Sequence, residues 1–358
     1  MKICILGDTH FGMRGDSLEF HQYCSKFYTN VFFPYILENN IDTVFQLGDL
    51  FDRRKFINFQ SLYLCREYFF DKLRDNNIKF HTLLGNHDIA FKNTLKVNST
   101  SLLLQDYKNI IIHNSFGTLE FDDVPIDIIP WICSENEESI LASINQYSSP
   151  AQICFGHFEL DGFEMDRGNI CVGGMSKNIL KRYDVVLSGH FHHKSTNDNI
   201  HYVGTPNEMT WADYNDPRGF HIFDTATREL EFIENPYRMF HKLFYDDGKT
   251  DFEYWKKFNY EQFKDTYLKV IVVSKQNPYL FDNMLDNLYK AGVTDISIVE
   301  DYSDINVDID DDMVNQAEDT ITVLSNYIDN LPLDVNGEKL KSLMRELYVE
   351  ASNMERVE

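Results

Sequence analysis

No run of about 18 apolar residues occurs in the chain, which excludes a membrane-spanning helix. Before the first carboxylate, Asp8, the N-terminus offers only Ile3-Cys4-Ile5-Leu6, too short for a secretory signal. Cysteine is sparse as well: six residues (Cys4, Cys24, Cys65, Cys133, Cys154 and Cys171) with no close pairing, so neither a zinc ribbon nor a redox pair is visible. Cys4 and Cys154 lie inside apolar runs and read as small core residues. A reducing, cytoplasmic setting is the expectation. Positive charge is in deficit, with 33 Lys and Arg against 57 Asp and Glu and a formal charge of −24. Nine of the acids fall between residues 299 and 319, where no Lys or Arg occurs, and the rest of the chain still carries −15. Phosphate backbones favour basic surfaces, so tight unaided binding of nucleic acid is not expected.

What is present is ample apolar material, 43% of the chain with 14% aromatic, and a length of 358 residues that suits a large domain plus an accessory one. Residues 1–234 alternate strand-like and helical stretches, as expected for a layered α/β domain. Helices are expected over 62–73 and 93–107, and further strands over 124–131 and 219–224. After Asn235-Pro236 a strand at 267–273, a helix at 281–290 ended by Ala291-Gly292, and a strand at 293–299 outline a small second domain, 235–299. Residues 300–312 lack an apolar period and read as an acidic linker. In 313–358 apolar residues recur at three- and four-residue steps on two helices, broken by Leu331-Pro332 and Asn336-Gly337.

Five short segments carry the chemistry: Gly7-Asp8-Thr9-His10, Gly48-Asp49-Leu50-Phe51-Asp52, Gly85-Asn86-His87-Asp88, Gly156-His157 and Gly189-His190-Phe191-His192. Four follow apolar runs of strand length (Ile3 to Leu6, Val44 to Leu47, Ile153 to Phe155, Val185 to Leu187), and the other follows the mixed run Phe80 to Leu84. A strand followed by glycine and a carboxylate, amide or imidazole puts polar groups at the rim where α/β sheets bind ligands. One such segment alone is usually a turn or a helix cap. Five in sequence point to a shared site. Mixed Asp, His and Asn ligands suit borderline-hard divalent ions, with manganese or iron favoured over thiolate-bound zinc.

As a set the motifs resemble the calcineurin-like metallophosphoesterases, and within them the DNA double-strand-break nucleases of the SbcD and meiotic-recombination-eleven type, including those of T-even phages. Gly204-Thr205-Pro206 and the run Asn215 to Phe220 are softer features of that branch. The resemblance implies a four-layer αββα sandwich, a small α/β capping domain that faces DNA, and a C-terminal helical pair. It implies two divalent cations, manganese favoured: one on Asp8, His10, Asp49 and His192, the other on Asp49, Asn86, His157 and His190. A bridging carboxylate holds two cations roughly 3.5–4 Å apart, where together they activate a water and clamp an in-line displacement at phosphorus. His87 matches the histidine that stabilises the transition state and protonates the leaving oxygen, with Asp88 as its supporting partner. The implied activity is double-strand exonuclease and single-strand endonuclease, processing DNA ends for recombination and repair. The implied partners are DNA, an SbcC-type coiled-coil ATPase bound through 313–358, and a second copy through helices 62–73 and 93–107. If the chain is phage-encoded, the setting is the host cytoplasm.

Two departures qualify this. Many cellular members have a histidine where this chain has Asp52, so that histidine's exonuclease role does not carry over. Asp52-Arg53 also resembles protein serine/threonine phosphatases, whose arginine grips phosphate, and this supports a phosphomonoesterase or protein phosphatase as the second reading. A non-catalytic scaffold is the third, against which stands the retention of every ligand position and of His87. Arg53-Arg54-Lys55, Lys92 and Lys96 offer local basic contacts near the motifs. His21, His81, His113, His193, His201, His221 and His241 read as surface or packing residues.

Overall fold

Every run that precedes a motif forms a strand: Lys2–Leu6, Thr43–Gln46, Lys79–Leu83, Ile153–His157 and Val185–Gly189. They lie in two six-stranded sheets of a computed structural model that describes residues 1–145, 149–166 and 169–300. The first sheet runs Leu230–Glu234, Gly219–Asp224, Lys2–Leu6, Thr43–Gln46, Lys79–Leu83, Ile110–His113, the last four mutually parallel. The second runs Ser195–Asn197, Ile200–Tyr202, Val185–Gly189, Ile153–His157, Val124–Ile129, Gly117–Phe121, with its four central strands parallel. All five motif strands are parallel members, so their carboxyl ends emerge on one rim of each sheet.

Side-chain alternation builds the layers. Ile3 and Ile5 pack with Phe45, Leu83, Ile153, Phe155 and Leu187 between the sheets, whereas Cys4, Val44 and Phe80 turn to the other face of the first sheet. There they meet two long helical stretches, Leu18–Glu38 and Phe59–Asp75, each with a π-turn in its middle, whose Phe20, Phe27, Phe32, Phe69 and Phe70 are buried. Cys154 and Val186 turn outward from the second sheet onto the helix Glu137–Asn145 and the turn Lys177–Leu180. The four-layer αββα architecture expected from the motifs is the one observed. All six cysteines are buried and free. His81 and His113 stack face to face at 5.3 Å with a 3.0 Å contact between ring nitrogens, and burial lowers both pKa values to about 4.

The expected helix over 93–107 is corrected. Ile89–Phe91 and Thr94–Asn98 form an antiparallel hairpin around Lys92-Asn93, and only Ser99–Leu103 is helical. Leu95 is drawn into a small cluster with Leu84, Ile89 and Cys133, and the Asn98 side chain caps the short helix by accepting from Ser101 N–H. Tertiary burial overrides the three-and-four spacing of Leu95, Leu102 and Leu103.

Met1–Val299 forms one compact unit, within which residues 240–299 have a sheet and core of their own. Phe240–Asp246, Tyr267–Ser274 and Asp295–Val299 are all parallel, and Pro278–Lys290 buries Leu280, Phe281, Met284 and Leu288 against them. The Phe240 ring packs on Phe20, and buried Glu208 accepts from Met239 and Phe240 N–H, tying this part to the sandwich. Residues 301–312 of the acidic linker and the helical pair 313–358 lie outside the described residues. No helix among the described residues is long and apolar enough to cross a membrane.

Candidate metal centre

The rims of the two sheets bring the motif side chains together: alongside a His10–Asp52–His87 group stand two triads, Asp8–His10–His192 and Asp49–His157–His190, each with ligand atoms within 4.8 Å of one another. Asp49 Oδ2 spans them, 3.4 Å from His157 Nε2 and 3.9 Å from His10 Nε2. Asn86 Oδ1 sits 3.0 Å from His157 Nε2 and 2.9 Å from His190 Nδ1, so the amide joins the second triad. All seven expected ligand residues therefore converge. Glycine permits the approach. Gly48 adopts a positive φ of 93°, and a methyl group on it would collide with the His157 ring. At Gly85 a methyl group would collide with Asp49.

Three of these residues have left-handed backbone although none is glycine: His10 at φ 43°, Asp49 at 53° and His190 at 91°. Such conformations cost of order 1–3 kcal/mol each and persist only where surroundings hold them. The surroundings are identifiable. Asp49 carbonyl accepts from both Thr9 and His10 N–H, and Asp8 accepts from His190 N–H. Fully buried Gln46 donates to the Gly7 and Gly48 carbonyls and accepts from Gly48 N–H and Thr82 Oγ1.

Electrostatics match a two-cation site. Burial opposes protonation of His10, yet Asp52, Asp49 and Asp8 push its pKa up to about 9. Burial opposes protonation of His157 too, and the Asp49 and Asp8 charges push it up to about 9. Each triad thus demands a positive charge at its centre. Burial raises Asp8 to about 7, whereas the His157 and His10 charges outweigh burial at Asp49 and hold its carboxyl well below the usual range. Burial lowers His190 to about 3 and His192 well below the ordinary value, leaving neutral imidazoles fit to ligate. His157 Nδ1 donates to Leu47 carbonyl at 2.7 Å, which presents Nε2 to the centre. Both buried ring nitrogens of His10 lack a hydrogen-bond partner. These residues fit a pair of divalent cations.

His87 lies beside the centre, its ring 4.8 Å from that of His10. Its N–H donates to Asp49 Oδ1 at 2.7 Å, and its Nδ1 donates to Asp52 carbonyl at 2.6 Å. Asp88 is not its partner, and that expectation is corrected. Asp88 is fully buried and accepts from the backbone N–H groups of Gly85 (2.8 Å), Asp49 (2.9 Å), Leu50 (3.0 Å) and Phe51 (3.5 Å). It fastens the Gly48–Phe51 loop to the Gly85 loop. The Asp52 carboxylate stands 3.3 Å from His10 Nδ1. Arg53 turns away from the centre, pairing with Asp16 at 3.4 Å and lying over Phe56.

Sequence reasoning passed over several contributors. The Trp131 ring stands 5.1 Å from His190 and 5.8 Å from His157. Buried Arg218 donates to the His192 carbonyl and Thr205 Oγ1 and pairs with Asp213 and Asp216 at 2.7 Å each. His193, left as surface or packing, bonds Asp216 at 2.9 Å in the same network. The Gly204-Thr205-Pro206 and Asn215-to-Phe220 features thus support the loop of His192, a role their position after the last motif hinted at.

Residues 1–194 match the family model for calcineurin-like phosphoesterases. Exonuclease subunit 1 of Enterobacteria phage T4 is 35% identical over 356 residues, covering 98% of this chain and all of that one. Among solved structures, a hypothetical protein of Thermus thermophilus aligns over 66% of this chain and 100% of its own at 15% identity and a TM-score of 0.35. The GAP50 anchor of the inner membrane complex of Plasmodium aligns over 85% and 98% at 13% identity and a TM-score of 0.39. On the family match and the near-full-length identity, the chain belongs to the calcineurin-like phosphoesterases and, within them, to the family of the T4 exonuclease subunit.

Proposed function

We propose that the chain is the nuclease subunit of a DNA-end-processing complex, a metal-dependent phosphodiester hydrolase with double-strand exonuclease and single-strand endonuclease activity in recombination and repair. The observation that carries this reading is the meeting of two ligand triads at Asp49 with His87 held alongside. Asp8, His10, Asp49 and His192 would hold one cation, and Asp49, Asn86, His157 and His190 the other, manganese being favoured by the O/N donor set. When bound, the pair supplies an activated water and neutralises charge on the phosphodiester. The protein's own part is positional. His87 commits Nδ1 to the Asp52 carbonyl, which leaves Nε2 to give a proton to the leaving oxygen. Burial lowers the His87 pKa against the opposing charge of Asp49, so the ring holds its proton best beside the negative charge of a bound phosphate.

The relative's name makes it one subunit of a larger exonuclease, which supports a partner here. That partner is an SbcC-type coiled-coil ATPase, docked on 313–358 past the acidic linker 300–312, with residues 235–299 as the cap facing DNA. A second copy packs on the exposed apolar fringe around the helix Phe59–Asp75 and the Ser99–Leu103 turn. There Phe59 is 86% exposed, Tyr63 66% and Leu102 63%. If the chain is phage-encoded, the host cytoplasm is the setting. The phosphatase reading drew on Arg53, and in the structure Arg53 is engaged with Asp16 instead. The test is incubation with manganese and linear duplex DNA, circular single-stranded DNA and an aryl phosphate. Cleavage of both DNAs is expected. Turnover of the aryl phosphate alone would favour a phosphatase, and no turnover by the manganese-loaded protein a scaffold.

A further inference from the structure

Two orientations of the Asn86 amide differ in what they leave for Arg54. With Oδ1 turned inward it meets His157 Nε2 and His190 Nδ1, and its NH2 group faces the Arg54 guanidinium. Turned over, the NH2 group donates to both imidazoles and to Asp49 Oδ2 at 3.3 Å, and the oxygen accepts from Arg54 Nη2 at 3.1 Å. A cation held by the second triad would select the first orientation, because only the amide oxygen can ligate it. Two N–H donors then face each other at about hydrogen-bond distance. Arg54 is left as a half-buried guanidinium at the edge of the site, and among the described residues no carboxylate pairs with it.

A planar fork of N–H donors suits a carboxylate or a phosphate with two free oxygens, and in a phosphodiester hydrolase the substrate supplies the second. Of the neighbouring cations, Arg53 is held by Asp16 and Phe56, and the Lys55 side chain is exposed, whereas Arg54 lies within hydrogen-bond distance of the Asn86 amide. We infer that Arg54 is the phosphate-binding residue of this site, gripping the non-bridging oxygens of the scissile phosphodiester, and that Asn86 releases it when its amide oxygen is drawn to the cation. The loading of the centre and the readiness of the phosphate clamp are thereby linked through one amide. This rests on the phosphodiesterase reading above and names the residue that orients its substrate.

The experiment is calorimetric binding of inorganic phosphate to the manganese-loaded full chain and to Arg54→Ala, Arg54→Lys and Arg53→Ala, with manganese counted on each. A charge-assisted, two-pronged contact supports about a 10- to 100-fold loss of phosphate affinity in Arg54→Ala. Its manganese count should equal wild type, and KM for an aryl phosphodiester should rise more than kcat falls. Arg54→Lys, which keeps the charge without the fork, should fall between, and Arg53→Ala should bind phosphate as wild type does. Wild-type phosphate affinity in Arg54→Ala, or a larger loss in Arg53→Ala, overturns the assignment. The nuclease reading is judged separately: if neither DNA is cleaved while Arg54→Ala still loses phosphate, that reading fails and the clamp stands.

Discussion

Replacing Asp88 separates chemistry from scaffolding. The Asp88 carboxylate receives four backbone N–H groups, three of them at 3.0 Å or less, and the residue has no exposed surface. Asp88→Ala leaves those donors buried without partners, at about 1–3 kcal/mol apiece, and partial relaxation puts the total at about 3–5 kcal/mol. Against an overall stability of about 5–15 kcal/mol, that is a large fraction. Asp88→Asn keeps one acceptor oxygen and turns an NH2 group toward the remaining donors, so it should lose about 2–3 kcal/mol. The loop so loosened holds Asp49 in its left-handed conformation, and manganese content should fall with stability. Urea titration with elemental analysis on each variant is the assay. An Asp88→Asn protein with wild-type midpoint and metal content but a collapsed kcat would refute the scaffolding account and restore Asp88 as a direct partner in catalysis.

Asp49→Ala should empty both cation positions in elemental analysis, because its carboxylate spans the triads, whereas Asp8→Ala should chiefly empty one; two ions retained by Asp49→Ala would sink the assignment. His87→Ala should keep metals and melting behaviour yet lose about 100-fold or more of its DNA cleavage, as removal of a proton donor does; near-normal cleavage would make that ring structural. Truncation after Asp312 should leave manganese-dependent cleavage of short DNA intact and end co-purification with the SbcC-type ATPase; a truncated chain that still co-purifies would place the docking surface elsewhere.

The residues that converge at the candidate centre were legible in the sequence because each sits at or just past the end of a strand, where glycine and polar residues interrupt an apolar run. Gly219–Asp224 was legible for the same reason and forms over the expected residues. The Phe240–Asp246 strand was not, since its Lys242 and Asp246 break the apolar run and only parallel pairing with Tyr267–Ser274 defines it. The hairpin at 89–98 was hidden by leucine spacing that also fits a helix. Asp88 was recognised as important and misjudged in role. Its partners are main-chain N–H groups up to 39 residues away, which leave no mark in side-chain pattern. Gln46 reaches back 39 residues to Gly7, and Arg218 reaches back 26 residues to His192.

Gln46 and Arg218, both missed, act on main-chain groups, whereas Trp131 acts through its ring. A ligand announces itself by its chemistry. The groups that hold a ligand in place work through backbone hydrogen bonds that many residue types can make. Here three residues of the candidate centre sit in left-handed backbone, at about 1–3 kcal/mol each, and the cost is offset by buried Asp88 and Gln46 together with the Asp49 carbonyl and the Asp8 carboxylate. In an acidic chain this division has a further consequence. Under the proposed function, charge suited to phosphate would be concentrated in a small volume, where two cations and Arg54 would stand among carboxylates, so an error of about an ångström in any loop would place negative charge against the substrate. The supporting residues therefore set not only whether metal is held but which sign of charge the substrate meets.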